Sequence, residues 1–360
     1  MPLKWIHHSI ASIDKVAQKN AEKRQAILTK PAGSLGMLEN LAIQFSAWQG
    51  VEKPELKQIH ISVFAADHGV ADEGVSAFPQ VVTGEMVKNF IAGGAAISVL
   101  AQHNQAKLEI IDVGVKNFPK IDNVIRARAG NGTQNIVQMN AMNKEQLQRA
   151  LQAGKEAAER ASASHAQLFI GGEMGIANTT SATAIACELL DISDPATLTG
   201  AGTGLDKAGI QHKSDVISSI LRRYKEELSK QNNLTTQQKN DPLNLLLIMG
   251  GFEIAALVAA FIRCAQQGIP VLVDGFITTV AALVAISINK EVKQWMLFSH
   301  CSAESGHKKI LSALEVNALI ALELRLGEAS GAAIVIPLIK QALALHNKMA
   351  TFAEAEVSDS

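Results

Sequence analysis

Short apolar runs recur along this chain, and each one stops at a polar or glycine-containing turn. IHISVFAADHG at 59–69 is followed by KLEIIDVGV at 107–115, AQLFIGGEMG at 166–175 and NLLLIMGGFE at 244–253. IPVLVDGF at 269–276 and QWMLFSH at 294–300 complete the set. Helical patterns lie between most of them, such as 82–103, 143–164 and 252–268. A continuous apolar run without alternation fits a strand buried on both faces, and strands separated by helices build a parallel sheet. The fold class expected is therefore α/β, with six parallel strands and helices on both faces of the sheet. Ligands of such sheets sit beyond the carboxyl ends of the strands. The sequence puts Asp67, His68, Asp112, Glu173, Glu253, Asp274, Ser299 and His300 there. One or two polar residues can simply end a strand; a polar or glycine-rich turn after all six points to a shared binding crevice.

A chain of 360 residues that is 48% hydrophobic can bury one large core. Residues 29–307 read as a large Rossmann-like α/β domain carrying the strand-end site. Residues 1–28 are polar, amphipathic and helical, and 308–349 read as helices with no strand between. The two chain ends are expected to form a small helical domain, with 350–360 as a flexible tail. The Asn/Gln-rich stretch 229–242 reads as a solvated loop. VLVDGFITTVAALVAISI at 271–288 is as long as a membrane span, but Asp274 and Gly275 split it into a buried strand and a helix. A net charge of -1 and 4% aromatic residues argue against nucleic acid as a partner. Cys187, Cys264 and Cys301 are far apart and form no CxxC pair, which fits a reducing cytoplasm. The N-terminal MPLKWIHHSIASIDK lacks the apolar core of a signal peptide.

GGEMGIANTTSA at 171–182 has the form of a phosphate loop, strand before and helix after, yet it carries Glu173 and no lysine. TGAGTGLD at 199–206 opens a long helix whose backbone N–H groups could hold phosphate oxygens, and Lys213 lies two turns inside it. Alone, that loop reads equally well as a helix cap. It is not a dinucleotide fingerprint, because no strand leads into it and the spacing differs. RLGEASGAA at 325–333 sets Glu328 among small residues, either approachable by a ligand or simply facing solvent. Asp67-His68 and His300-x3-Glu304-x2-His307 lack the tight spacing of metal ligands, so neither a metal nor any other cofactor is expected. No GxSxG elbow supports a serine triad, and SHCSAESGH at 299–307 reads as a strand end with Ser302 and Ser305 at a helix cap.

Taken together, KPAGSLGMLENLA at 30, ADHGVADEGVSAFPQVVT at 66, NFIAGGAAISVLA at 89, IDVGV at 111 and GGEMGIANTTSATA at 171 form an ordered set. GGFEIAALVAA at 250, PVLVDGFITTVAAL at 270, SHCSAESGH at 299 and RLGEASGAA at 325 continue it. The set resembles the nicotinate-nucleotide:dimethylbenzimidazole phosphoribosyltransferase family of cobalamin biosynthesis, from about Lys30 to Lys340. The resemblance implies a homodimer whose sites are closed by the partner's small domain. It implies transfer of phosphoribose from nicotinate mononucleotide to a benzimidazole-type base, giving α-ribazole phosphate and nicotinate. By the same resemblance Glu328 is the catalytic base and Glu173 the carboxylate beside the anomeric carbon. Gly175, Asn178, Thr179, Thr180, Gly202, Thr203 and Lys213 hold phosphate or ribose, and Gly275 and Ser302 line the donor site. Phe78, Met86 and Leu326 are expected around the flat base. Ala177, Ala201, Ala329 and Glu85 depart from the family's pattern of Gly, Arg, Gly and an amide.

Two other readings compete. One is a non-catalytic paralogue that binds a nucleotide or base, suggested by Ala201 and Ala329. The other is a nicotinamide-cofactor oxidoreductase on the same sheet, which would need a glycine fingerprint after the first strand; ADHGVADEG does not supply one.

Overall fold

Residues 3–230 and 241–358 are described in the computed structural model; most of the 229–242 stretch lies outside them. Seven strands among the described residues make one sheet, all neighbours parallel. They are β1 (Ile59–Ala66), β2 (Lys107–Gly114), β3 (Val124–Arg126), β4 (Leu168–Met174), β5 (Val271–Val273), β6 (Met296–His300) and β7 (Ala318–Ile320). Their order across the sheet is β3-β2-β1-β4-β5-β6-β7. The direction of winding reverses between β1 and β4, so a crevice opens there at the carboxyl edge. Every residue of β1, β5 and β6 is buried, which is why these strands read as unbroken apolar runs.

The helices are α1 (Lys15–Ile27), α2 (Met37–Gln49), α3 (Val82–Ala92), α4 (Ala96–Asn104), α5 (Lys144–Ala163), α6 (Asn178–Leu189) and α7 (Lys207–Lys230). They continue with α8 (Pro242–Met249), α9 (Phe252–Gln266), α10 (Phe276–Ile288), α11 (His307–Ala313) and α12 (Ser330–Lys348). The 271–288 stretch is indeed a buried strand, β5, and then α10, separated by Asp274 and Gly275. No helix among the described residues is long and apolar enough to cross a membrane.

Three expectations are corrected. The 244–253 run is not a strand: it falls in α8 and the start of α9. Asp241 caps α8, its side chain accepting from Leu243 N at 2.9 Å, and Pro242 takes the first helical position. A short run that is apolar all round carries no period that distinguishes the two structures. The sheet has seven strands rather than six, because β3 and β7 were not expected. Each is three residues long and none of their residues is buried, so their sequences lack the apolar signature of the inner strands. Consequently 308–349 is not purely helical, since β7 lies within it.

The chain ends meet. α1 and α12 both pack on α2. Arg24 Nε donates to His346 O at 2.8 Å, and Gln25 Nε2 lies 2.8 Å from His346 Nδ1. The 350–360 segment, expected as a tail, starts with an antiparallel bridge between Thr351 and Leu28, and Phe352 N donates to Ile27 O.

Candidate active site

β4 enters the crevice at Glu173–Met174, and the chain turns through Gly175–Ala177 into α6. Ala177 is left-handed, with φ of 74°, and no side chain caps α6. The helix start therefore offers backbone N–H groups and the positive end of its dipole to an anion. Gly175 is required by a close approach: a Cβ there would stand 2.4 Å from Ala66 O on β1.

The 199–206 loop faces this helix start. Thr203 Oγ1 lies 3.0 Å from Ser76 Oγ and accepts from Ala77 N at 3.1 Å, which ties the loop to the segment after β1. Lys213 reaches up from the second turn of α7. Its Nζ donates to Thr179 Oγ1 at 2.7 Å and to Gly200 O at 3.3 Å, and the side chain is wholly buried. Burial pulls its pKa down to about 8, against the opposing charge of Glu304. An ammonium shielded from water with only two neutral acceptors has capacity for an anion.

The other wall is acidic. Glu173, Asp274 and Glu328 line this side of one cleft of about 270 Å³, whereas Glu304 lies on the other side, its Oε2 against Gly200 of the 199–206 loop. Glu173 is pushed up to about 8 by burial and then by the charge of Glu253; Asn178 Nδ2, which donates to its Oε2, works the other way. Glu328 is pushed up to about 7 by burial and by Asp274. It sits in a corner of three successive left-handed residues: Gly327, Glu328 and Ala329, with φ of 84°, 64° and 69°. The corner lies directly on β4. A Cβ on Gly172 would stand 2.8 Å from Ala329 Cβ and from Glu328 C, and one on Gly327 would stand 2.5 Å from Glu173 Oε1. The two carboxylates thus share one wall although they are 155 positions apart in sequence (328 − 173). Ala177 and Ala329 occupy left-handed positions, which explains why glycine is expected at both.

β6 adds His300 and Ser302. Ser299 Oγ donates to Asp274 O at 2.8 Å, so the 3.0 Å contact with His300 is donated by His300 Nδ1–H. His307 Nδ1 accepts from Ser302 N at 2.8 Å, so Nε2–H faces Thr279 Oγ1 at 2.9 Å. Burial, then the neighbouring His300, lowers His307 to about 3, so it is a neutral prop for Ser302. Ser302 Oγ accepts from Glu304 N at 3.3 Å and Ser305 Oγ donates to Thr199 O at 2.9 Å; neither caps α11, whose N-cap is Gly306. His300, Glu304 and His307 have separate tasks, and no three metal-binding side chains converge among the described residues.

Glu173, Gly175, Asn178, Thr179, Gly202, Thr203, Gly275, Ser302, Glu328, Phe78 and Leu326 all line this single cleft, and Lys213 supports it through Thr179. Two expected residues do not line it. Thr180 is wholly buried in α6, behind Thr179. Met86 sits on α3, partly buried against the core. Other strand-end acids serve the scaffold. Asp112 accepts from Gly114 N and Val115 N, and Asp67 accepts from Lys116 N at 2.7 Å. His68 Nε2 and Glu253 Oε1 make a fully buried contact of 2.5 Å. Asp274 and His300 stand at strand ends to which the sequence assigns no task; Glu304 reads there only as part of a loose metal-type spacing, and Arg325 and Ser76 lie inside motifs with no role of their own.

A family model described as phosphoribosyltransferase matches residues 10–357. The chain is 52% identical over 357 residues to a Pseudomonas putida protein named nicotinate-nucleotide–dimethylbenzimidazole phosphoribosyltransferase, covering 99% of this chain and 98% of that one. A Xanthomonas campestris protein of the same name is 52% identical, with both chains fully covered. A Thermus thermophilus crystal structure bearing that enzyme name superposes with a TM-score of 0.87 at 37% identity, over 96% of this chain and all of the other.

The contact between β4 and the corner gives a direct expectation. Gly172→Ala puts a methyl group 2.8 Å from Ala329 Cβ and the Glu328 backbone. Overpacking of this kind costs about 1–3 kcal/mol. Denaturant unfolding should show that loss, and an unchanged midpoint would mean the corner is free to move.

Proposed function

The chain belongs to the phosphoribosyltransferase family whose model spans residues 10–357, and on that premise we propose how its cleft residues divide the work of the reaction. The protein is an enzyme, a transferase that moves phosphoribose from nicotinate mononucleotide to a benzimidazole-type base. It yields the base's riboside phosphate and nicotinate. The competing readings, a silent paralogue and a nicotinamide-dependent oxidoreductase, find no support in the relatives.

In the donor the pyridine nitrogen is already cationic. The bond from the anomeric carbon to that nitrogen breaks, the electron pair stays with nicotinate, and no acid is needed to release it. The incoming base forms a new carbon–nitrogen bond through one ring nitrogen and must lose the proton of its N–H. Glu328 takes that proton. Glu173 lies beside Gly327 on the same wall, where negative charge favours an oxocarbenium-like carbon. A cationic donor also draws the Glu173 pKa back down and keeps its carboxylate charged when substrate is bound. The phosphate lies between the α6 start and the 199–206 loop, with Lys213 beneath. A lysine in place of Glu173 would repel the cationic carbon, which is why a phosphate-type loop carries a carboxylate. The observation that carries this reading is the meeting of Glu173 and Glu328 on one wall, beside an uncapped helix start.

Phe78, Val81, Leu322 and Leu326 are exposed large apolar residues on segments at or beside the cleft mouth. A second copy covering that rim would complete the base pocket, so the working form is a homodimer. The three free cysteines support a cytoplasmic setting.

A base must be deprotonated to act, and burial raises Glu328 to about 7. kcat should therefore fall below that pH and rise through it. Glu328→Gln should lose about 10²–10⁴-fold in kcat and lose that acidic limb, with the fold intact. A mutant within threefold of wild type would remove Glu328 from the chemistry. Lys213→Ala should instead raise the donor KM with little change in kcat, because the phosphate charge is constant through the reaction; a loss of about 1.5–3 kcal/mol is expected. An unchanged KM would leave Lys213 purely structural. Sedimentation tests the dimer, and an active monomer would contradict it.

A further inference from the structure

The mechanism above gives no task to Asp274, which lines the same cleft as the two glutamates. Asp274 ends β5 and is 2% exposed. Its Oδ1 accepts the Ala332 N–H at 2.7 Å, and its Oδ2 is buried without a hydrogen-bond partner among the described residues. Ala332 is in the first turn of α12, immediately after the corner that holds Glu328. That corner is strained: Glu328 and Ala329 both carry a side chain at left-handed φ, a conformation L-residues other than glycine rarely adopt. Such a conformation persists only where its surroundings hold it. Ser330 Oγ and N both bond back to Gly327 O, which closes the turn on itself. The bond from Ala332 to Asp274 does something different, because it fastens the start of α12 to the end of a buried strand.

We propose that Asp274 is a positioning residue for Glu328: its carboxylate anchors the first turn of α12 to β5 and so fixes the strained corner that presents Glu328 to the acceptor base. This rests on Glu328 being the general base. The helix dipole makes the anchor suitable, because negative charge is favoured at a helix N-terminus. Burial raises the Asp274 pKa, while His300 and the N–H groups of Ala332, Ala329 and Gly331 oppose that rise. The ionisable groups that line the cleft with Glu328 are Glu173 from β4, Asp274 after β5, His300 from β6, Glu304 beyond it and Arg325 from its own loop. His300 Nδ1 stands 4.0 Å from Asp274 Oδ1, and a Cβ on Gly331 would meet the His300 ring at 2.2 Å, so these elements are in close register. The Asp274 charge also pushes the Glu328 pKa upward, which strengthens the base it positions.

The test compares Asp274→Ala, Asp274→Asn, Glu328→Gln and the double variant Asp274→Ala/Glu328→Gln. Steady-state rates are measured with nicotinate mononucleotide and dimethylbenzimidazole across pH. Asp274→Ala should lower kcat about 100-fold, the scale of a misplaced catalytic group, and leave the donor KM nearly unchanged. Asp274→Asn keeps an oxygen for the Ala332 N–H. It should recover most of kcat while its acidic limb moves to lower pH, because a negative charge beside Glu328 is gone. The double variant should be no slower than Glu328→Gln alone, since both losses pass through one residue. A wild-type rate in Asp274→Ala, an Asn variant no better than Ala, or additive losses in the double variant would overturn the proposal. If Asp274→Ala does not fold by circular dichroism, the Asn variant decides: a limb that stays in place overturns it. A Glu328→Gln enzyme with wild-type rate would instead bring down the base assignment itself, and this proposal with it.

Discussion

A strand buried on both faces has nowhere to keep a charge except its ends. That constraint organises this enzyme. β1, β4, β5 and β6 run side by side through the core, and the acids and histidine that close or follow β4, β5 and β6 gather at the carboxyl edge, while His60 and Ser62 near the other end of β1 pair with Glu109 of β2. Glu173, Asp274 and His300 come from three adjacent strands and converge without any of them being close in sequence. Glu328 joins them because its corner rests on Gly172 of β4, where no side chain larger than hydrogen fits. The sheet thus brings together residues that the chain keeps far apart.

Concentrating acids in a partly dry cleft has electrostatic consequences. Burial raises Glu173, Asp274 and Glu328, and the charge of neighbouring carboxylates raises Glu173 and Glu328 further. Glu173 and Glu328 are displaced toward neutral pH, where a carboxyl can gain or lose a proton during turnover. The buried ammonium of Lys213 lies across the cleft beneath the opposing loop. Negative charge on one wall and anion-binding capacity on the other match a donor with a cationic ring at one end and a phosphate at the other. The polarity of the cleft is therefore a property of which strand end each residue occupies.

Much of this was legible in the sequence, for reasons that differ by element. The inner strands were readable because full burial demands unbroken apolar runs. The edge strands β3 and β7 were not, because exposure relaxes that demand to nothing distinctive over three residues. The 244–253 run reads as a strand because an all-apolar segment hides its period, and only Asp241 and Pro242 mark it as a helix. Eleven of the expected site residues line the cleft, since glycine-rich turns after strands leave a clear mark. Thr180 is expected beside Thr179 because a sequence does not show which side of a helix start faces the ligand. Asp274 was seen as a strand end but given no task. Its partner is a backbone N–H 58 residues away (332 − 274), and backbone donors leave no trace in composition.

The most direct test of the account is a crystal structure with nicotinate mononucleotide bound. The phosphate should lie between the Gly175–Thr179 turn and the 199–206 loop, within hydrogen-bonding distance of Lys213 Nζ. The anomeric carbon should face the wall formed by Glu173 and Glu328. A donor bound with its phosphate on the acidic wall, or with the anomeric carbon turned away from both glutamates, would contradict the assignment of the cleft.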